Sequence, residues 1–204
     1  MAILKRSRRS TVSDNEVKMA NIKQELDKIK GRVSDPDFLA NKGLSNEVGI
    51  HVFCYAPADE LIVRDFVHRL TTEPSGVYRI IEFDMYNIFL EILIEKRVLG
   101  TVAALEEKRG KDYLLTSLQS IAKPQAFLEK MKYEPRERGK DVLFLTGVGK
   151  VYPFMRSHIM LSAMQKMFTD IPILMFYPGL FNGQDLNLFG AFSDGNYYRA
   201  FDLL

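Results

Sequence analysis

Between Asp141 and Gly183 the chain carries a pattern that few folds can accommodate. Asp141-Val-Leu-Phe-Leu-Thr146 is a continuous apolar run suited to a strand buried on both faces. Gly147-Val-Gly149-Lys150-Val-Tyr152-Pro153 follows, a turn rich in residues that permit unusual backbone angles. Phe154, His158, Leu161, Met164 and Phe168 then recur at helical spacing. After Thr169-Asp170 a second apolar run, Ile171 to Tyr177, stops at Pro178-Gly179. Strand, loop, helix and strand in that order predict a βαβ unit, whose crossover length demands parallel pairing. Ligands and partners of open parallel sheets gather at the carboxyl ends of the strands, so Gly147–Arg156 and Tyr177–Gly183 are the expected functional segments.

An earlier stretch repeats the logic. Val48–Tyr55 reads as a strand, Ala56-Pro57-Ala58-Asp59 as a loop whose Asp59 caps the next helix, and Val77–Phe83 as a further strand. Between them, Glu60–Thr72 places Leu61, Val63, Phe66, Val67 and Leu70 on one buried side. Residues 86–134 read as helical, with breaks near Gly100, Gly110 and Pro124, an insertion suited to a lid or a docking subdomain. At the start, residues 1–14 read as a flexible basic arm. Residues 15–32 form an amphipathic helix on Met19, Ile22, Leu26 and Ile29, closed by Gly31. Residues 33–48 read as a connection pinned by Phe38 and Leu39. At the end, Leu186–Phe192 and Tyr197–Leu204 are joined by Ser193-Asp194-Gly195-Asn196, which has hairpin chemistry. The predicted fold is α/β and three-layered: a mainly parallel sheet with helices on both faces, a helical insertion and a C-terminal antiparallel hairpin. Residues 33–204 make its single domain.

The net charge of +2 conceals an asymmetry. Residues 1–32 hold nine Lys/Arg against four Asp/Glu, which leaves 19 bases and 22 acids for the rest. A mildly acidic globular part is a poor nucleic-acid surface, so Lys5, Arg6, Arg8 and Arg9 of the arm are the nucleic-acid candidates, with DNA contact indirect or weak. One cysteine, Cys54, excludes an internal disulfide and fits a reducing compartment; its apolar neighbours make it a small core filler. No run approaches the ~20 apolar residues of a membrane span, and no apolar segment follows the basic residues as in a secretion signal. A cytoplasmic protein without membrane contact is expected.

Gly149-Lys150 after a buried strand invites comparison with a P-loop. That loop needs Gly where this chain has Phe144 and a hydroxyl where it has Val151, so no magnesium ligand is available. Pro153 also removes an amide from the anion-binding start of the helix. His51, His68 and His158 lack the spacing of a zinc site, and no Ser sits on a sharp GxSxG-like turn. Glu82 and Asp84 alternate with Phe83 and share one strand face, an ordinary strand-end charge pair. Arg156 at a helix start either pairs with a loop carboxylate or recognises an anionic group. No catalytic residue, metal or cofactor is expected. Tyr152, Phe154, Tyr177, Phe181, Tyr197 and Tyr198 crowd the predicted strand ends, a composition favoured at protein–protein hot spots. The candidate contact residues are Gly147, Gly149, Lys150, Tyr152, Arg156, His158, Tyr177, Tyr197, Tyr198 and Arg199.

Phe144-Leu-Thr-Gly-Val-Gly-Lys-Val-Tyr-Pro-Phe-Met-Arg-Ser-His158, Ile171-Pro-Ile-Leu-Met-Phe-Tyr-Pro-Gly179 and Asn196-Tyr-Tyr-Arg-Ala-Phe201 together resemble the BrxB family. Phe38-Leu39, Lys42-Gly-Leu-Ser-Asn-Glu-Val48, and Glu82 with Tyr86-Asn-Ile-Phe-Leu-Glu-Ile92 extend the resemblance over roughly residues 35 to 204, leaving residues 1–14 outside it. It implies a small core component of BREX, the bacteriophage exclusion systems. Such a component works beside the ATPase BrxC, the adenine methyltransferase PglX and the alkaline-phosphatase-like PglZ. The resemblance implies no enzymatic activity, and PglZ is the expected contact of an adaptor. Two other readings remain open: a nucleotide-sensing module with a degenerate loop at Gly147–Lys150, and a DNA-contacting subunit acting through the arm.

Overall fold

The computed structural model describes residues 21–42, 49–73, 75–182, 185–193 and 201–203. Five strands form the parallel part of the sheet: β1 (Ile50–Tyr55), β2 (Arg79–Asp84), β3 (Asp141–Thr146), β4 (Ile173–Phe181) and β7 (Phe201–Asp202). Their spatial order is β2-β3-β4-β1-β7. Residues 142–145 are all buried to within 1% of full exclusion. That is the result expected of an apolar run with a helical layer on each face.

The layers follow from handedness. The connection from β1 to β2 crosses the sheet in one direction, and those from β2 to β3 and β3 to β4 return in the other. Right-handed crossovers then place the first connecting helix on one face and the later helices on the opposite one. The two cores bear this out. α3 (Glu60–Thr72) packs Val63, Phe66, Val67 and Leu70 with Phe53, Phe144 and Phe176 on the first face, whereas Leu61, expected on the same buried side, is 73% exposed in the first turn beside the carboxyl-end cleft. That layer also holds α1 (residues 21–33) and the short α2 (Pro36–Leu39), whose Phe38 and Leu39 are buried as expected. The other face carries α4 (Met85–Glu95), α5 (Val102–Arg109), α6 (Lys111–Ile121), α7 (Pro124–Lys130), α8 (Val148–Val151) and α9 (Ser157–Met167). Phe89, Ile92, Leu118, Phe127 and Met164 from these helices share one cluster with Leu143, Leu145 and Met175.

Local expectations needed correction in several places. Gly31 does not close α1, which runs on to residue 33; a Cβ there would meet nothing, so the glycine is simply exposed. Asp59 makes no capping bond, because a 3₁₀ turn, Pro57–Asp59, already leads the chain into α3. Instead Asp35 caps α2, and Asp84 caps α4 by accepting from the amides of Tyr86 (2.9 Å) and Asn87 (3.1 Å). The helix expected from Phe154 starts at Ser157, since residues 152–156 form a turn around the cis Tyr152–Pro153 peptide.

Antiparallel pairing does occur towards the C-terminus, but with different partners. β5 (Leu186–Leu188) pairs with the end of β4, and β6 (Phe192–Ser193) pairs with β5. β7 lies parallel to β1 on the edge away from β2.

Candidate functional site

On the first face, the even-numbered positions of β2 and β3 change character towards their carboxyl ends. Tyr78 and Ile80 give way to Glu82 and Asp84, and Val142 and Phe144 give way to Thr146. Apolar packing against α3 cannot continue over carboxylates, so a cleft of about 790 Å³ opens there between α3 and the start of α4. Its floor is wired internally. Thr146 Oγ1 donates to Glu82 Oε1 at 2.7 Å, and Lys150 Nζ donates to Asp84 Oδ2 at 2.8 Å. On the wall, Tyr55 Oη donates to Glu60 Oε2 at 2.6 Å. Burial raises the Tyr55 phenol first and this bond raises it further, so the hydroxyl stays protonated. Arg64 and His68 of α3 and Lys130 of α7 complete the lining.

The two glycines of the turn answer different steric demands. Gly147 has φ +69°, and a Cβ on it would collide with Asp84 Oδ1 and lie 2.9 Å from its Cγ. Gly149 sits inside α8, where a Cβ would lie 2.8 Å from Pro178 Cγ and 2.9 Å from Phe189 Cζ. What looks like a phosphate cradle is therefore filled by the protein's own carboxylate and by an aromatic ring. A carboxylate where an anionic ligand would sit repels that ligand.

Beside this turn stands an exposed aromatic ledge. Phe192 is 47% exposed and its ring centroid lies 5.2 Å from that of Tyr152; Phe189, 41% exposed, rests on Gly149. Leu180 is also exposed. It aligns with Asn187, whereas Gly179 aligns with Leu188 and Leu188 with Phe192, so Leu180 points from the opposite face of this small sheet.

The structure thus brings together Gly147, Gly149, Lys150 and Tyr152 among the candidate residues. Arg156 is exposed and His158 half-buried, past the turn at the start of α9. Tyr177 is 1% exposed and belongs to the core cluster, so it is a packing residue and offers no contact surface. Phe154 stacks on Phe89 with centroids 4.7 Å apart. Tyr197, Tyr198 and Arg199, like Lys5, Arg6, Arg8 and Arg9, lie outside the described residues. Sequence reasoning missed Phe189 and Phe192, because Leu186–Phe192 reads as one continuous strand. The signal was Gly190, which with Phe189 at φ +56° ends β5 after three residues. Cys54 is packed against the core, and burial, with the nearby Asp202 charge, pushes its thiol up to about 12. Among the described residues no group of His, Cys, Asp and Glu is arranged to hold a metal ion, and no helix is long and apolar enough to cross a membrane.

Comparison with known proteins adds the lineage. The family described as BREX protein BrxB matches residues 81–203, from β2 to the end of the sheet. A BREX protein BrxB of Bacillus cereus (strain H3081.97) is 39% identical over 192 residues, covering 91% of this chain and 99% of the relative. Another, from Escherichia coli O9:H4 (strain HS), is 30% identical over 179 residues, covering 88% of this chain and 90% of the relative. No solved structure gives a significant match. The chain belongs to the BrxB family of BREX phage-defence systems.

Proposed function

We propose that this protein is a non-catalytic adaptor of a BREX assembly, which holds the PglZ-type phosphatase-like protein, and with it BrxC and PglX, at the carboxyl-end surface of its sheet. The observation that carries this reading is the aromatic ledge. Phe192 stands exposed against Tyr152 and Phe189 stands exposed against Gly149, while Lys150 of the adjoining turn is already bonded to Asp84. Exposed aromatics on a fixed scaffold bury large apolar area with little loss of side-chain freedom, which suits a protein interface.

Pull-down from cells carrying the whole defence cluster tests it. Phe189→Ala with Phe192→Ser should release the PglZ-type protein, and unchanged capture would remove this surface from consideration.

The nucleotide-sensing alternative has less support, because Asp84 fills the Gly147 position and Lys150 is paired. Calorimetry with ATP and GTP separates the two: binding tighter than about 10 μM, roughly −7 kcal/mol, defeats the adaptor reading. Direct DNA contact through the arm is tested by deleting residues 1–14 and measuring salt-dependent retention on duplex DNA.

A further inference from the structure

We infer that the Gly147–Lys150 turn is a clamp that positions the aromatic ledge, so that Lys150 and Asp84 govern a surface neither contributes to; the partner-binding arm of this inference rests on the adaptor reading. Two distant parts of the chain are seated in one short helix. The β2–α4 corner delivers Asp84 into the space left free at Gly147, while β4 delivers Pro178 and the β5–β6 turn delivers the tip of Phe189 onto Gly149. Lys150 closes the first seat, its Nζ 2.8 Å from Asp84 Oδ2 and 5.9 Å from the centre of the Tyr86 ring. Val148 and Val151 are buried at 4% and 2%, which anchors the helix in the core from its other side.

Two features define the second seat. Glycine within a helix costs about 1 kcal/mol relative to alanine, yet a methyl group at position 149 would lie under 3 Å from Pro178 and the Phe189 ring and force them to shift. Phe189 is held at φ +56° by the tight β5–β6 turn, whose other central residue, Gly190, has φ +67° and which Ala191 N–H closes onto the Leu188 carbonyl at 3.0 Å, so the turn fixes the direction from which the ring approaches. The ring is thus locked onto α8, and α8 is locked to Asp84 by Lys150. Lys150 is a positioning residue for the ledge.

The chain contains no tryptophan, so Phe192→Trp supplies a single indole on the ledge, excited selectively at wavelengths where the tyrosines do not absorb. In that background Gly149→Ala and Lys150→Met should both increase iodide quenching of the indole and weaken capture of the PglZ-type protein about tenfold. Gly31→Ala, at an exposed helical glycine with open space around it, should change neither reading. Lys150→Met removes the partly exposed Asp84 pair and the Tyr86 ring contact while Asp84 keeps its capping bonds to α4, so the test stands even if Gly149→Ala does not fold. Quenching identical to the parent in Lys150→Met would overturn the clamp. Increased quenching with undiminished affinity would leave the clamp standing and refute the ledge as the docking surface.

Discussion

Arg79 grips Asp141 across the first rung of the β2–β3 pair: Nε lies 2.7 Å from Oδ1 and Nη2 lies 2.8 Å from Oδ2. The carboxylate is fully buried and also accepts from Tyr133 Oη at 3.0 Å and from the Glu137 amide at 2.8 Å. Burial alone would raise its pKa, but these bonds outweigh burial and hold it below the usual carboxylate range. This knot ties down the amino end of the sheet, opposite the cleft and ledge. Asp141→Asn should therefore destabilise the fold by about 2–4 kcal/mol, because it strips Arg79 of its buried carboxylate, leaving it Glu137 at 3.1 Å and the Pro135 carbonyl, and alters a buried acceptor site. The contribution of Asp141 is fully present above its unfolded pKa of about 3.9, and it is lost as pH falls through the lower folded value. Urea melts of the variant should accordingly show a shallower loss of stability below about pH 4 than the parent.

His51 acts at a higher pH. It is buried against the Phe38 ring, with centroids 4.9 Å apart, and burial, aided by the Arg32 charge, lowers its pKa to about 4. The folded state thus keeps the imidazole neutral while the unfolded chain binds a proton below about 6.5. Its contribution is whole above that value and declines as pH falls towards 4, by up to about 3 kcal/mol. His51→Gln should flatten thermal stability between pH 4 and 6.5. A variant that kept the parent's slope across that window would show that another group titrates there.

Gly147 and Gly139 share a positive φ but not their surroundings. Both lie in the left-handed region, at +69° and +75°, but only at 147 would a Cβ collide with a neighbour. Gly139→Ala should cost about 1 kcal/mol for backbone strain. Gly147→Ala should cost at least about 2 kcal/mol, since it also displaces the Asp84 cap of α4. Denaturant midpoints at unchanged m-value measure the difference, and equal costs would contradict the seating of Asp84.

Cys54 should be nearly inert in the native protein. With its thiol pushed up to about 12, the thiolate is scarce at pH 8. Alkylation by iodoacetamide should then be slower than in the urea-unfolded chain by about a thousandfold. Comparable rates in the two states would place the sulfur in solvent.

Much of the fold was legible because it rests on local periodicity. The unbroken apolar run 142–145 announces a strand covered on both faces, and the 3.6 spacing of Val63, Phe66, Val67 and Leu70 announces the helix that covers one of them. The site was legible only as a location. Gly147 and Gly149 stood out from their residue type, yet their partners Asp84 and Phe189 lie 63 and 40 positions away in the chain. Tyr177 looked like a surface aromatic beside Pro178-Gly179 and is a core residue, because β4 lies between β1 and β3 and both faces of that strand are covered.

The order of residues alone determined the α/β class, the two βαβ units and the departure of residues 144–151 from the P-loop pattern, since each depends on side-chain chemistry within a few consecutive positions. Only the folded chain decided what fills the glycine turn, where the last strand pairs and which aromatics remain outside. Those outcomes depend on contacts between segments far apart in sequence, and a glycine is equally compatible with a bound phosphate, a neighbouring carboxylate or the edge of a ring until the fold delivers one of them.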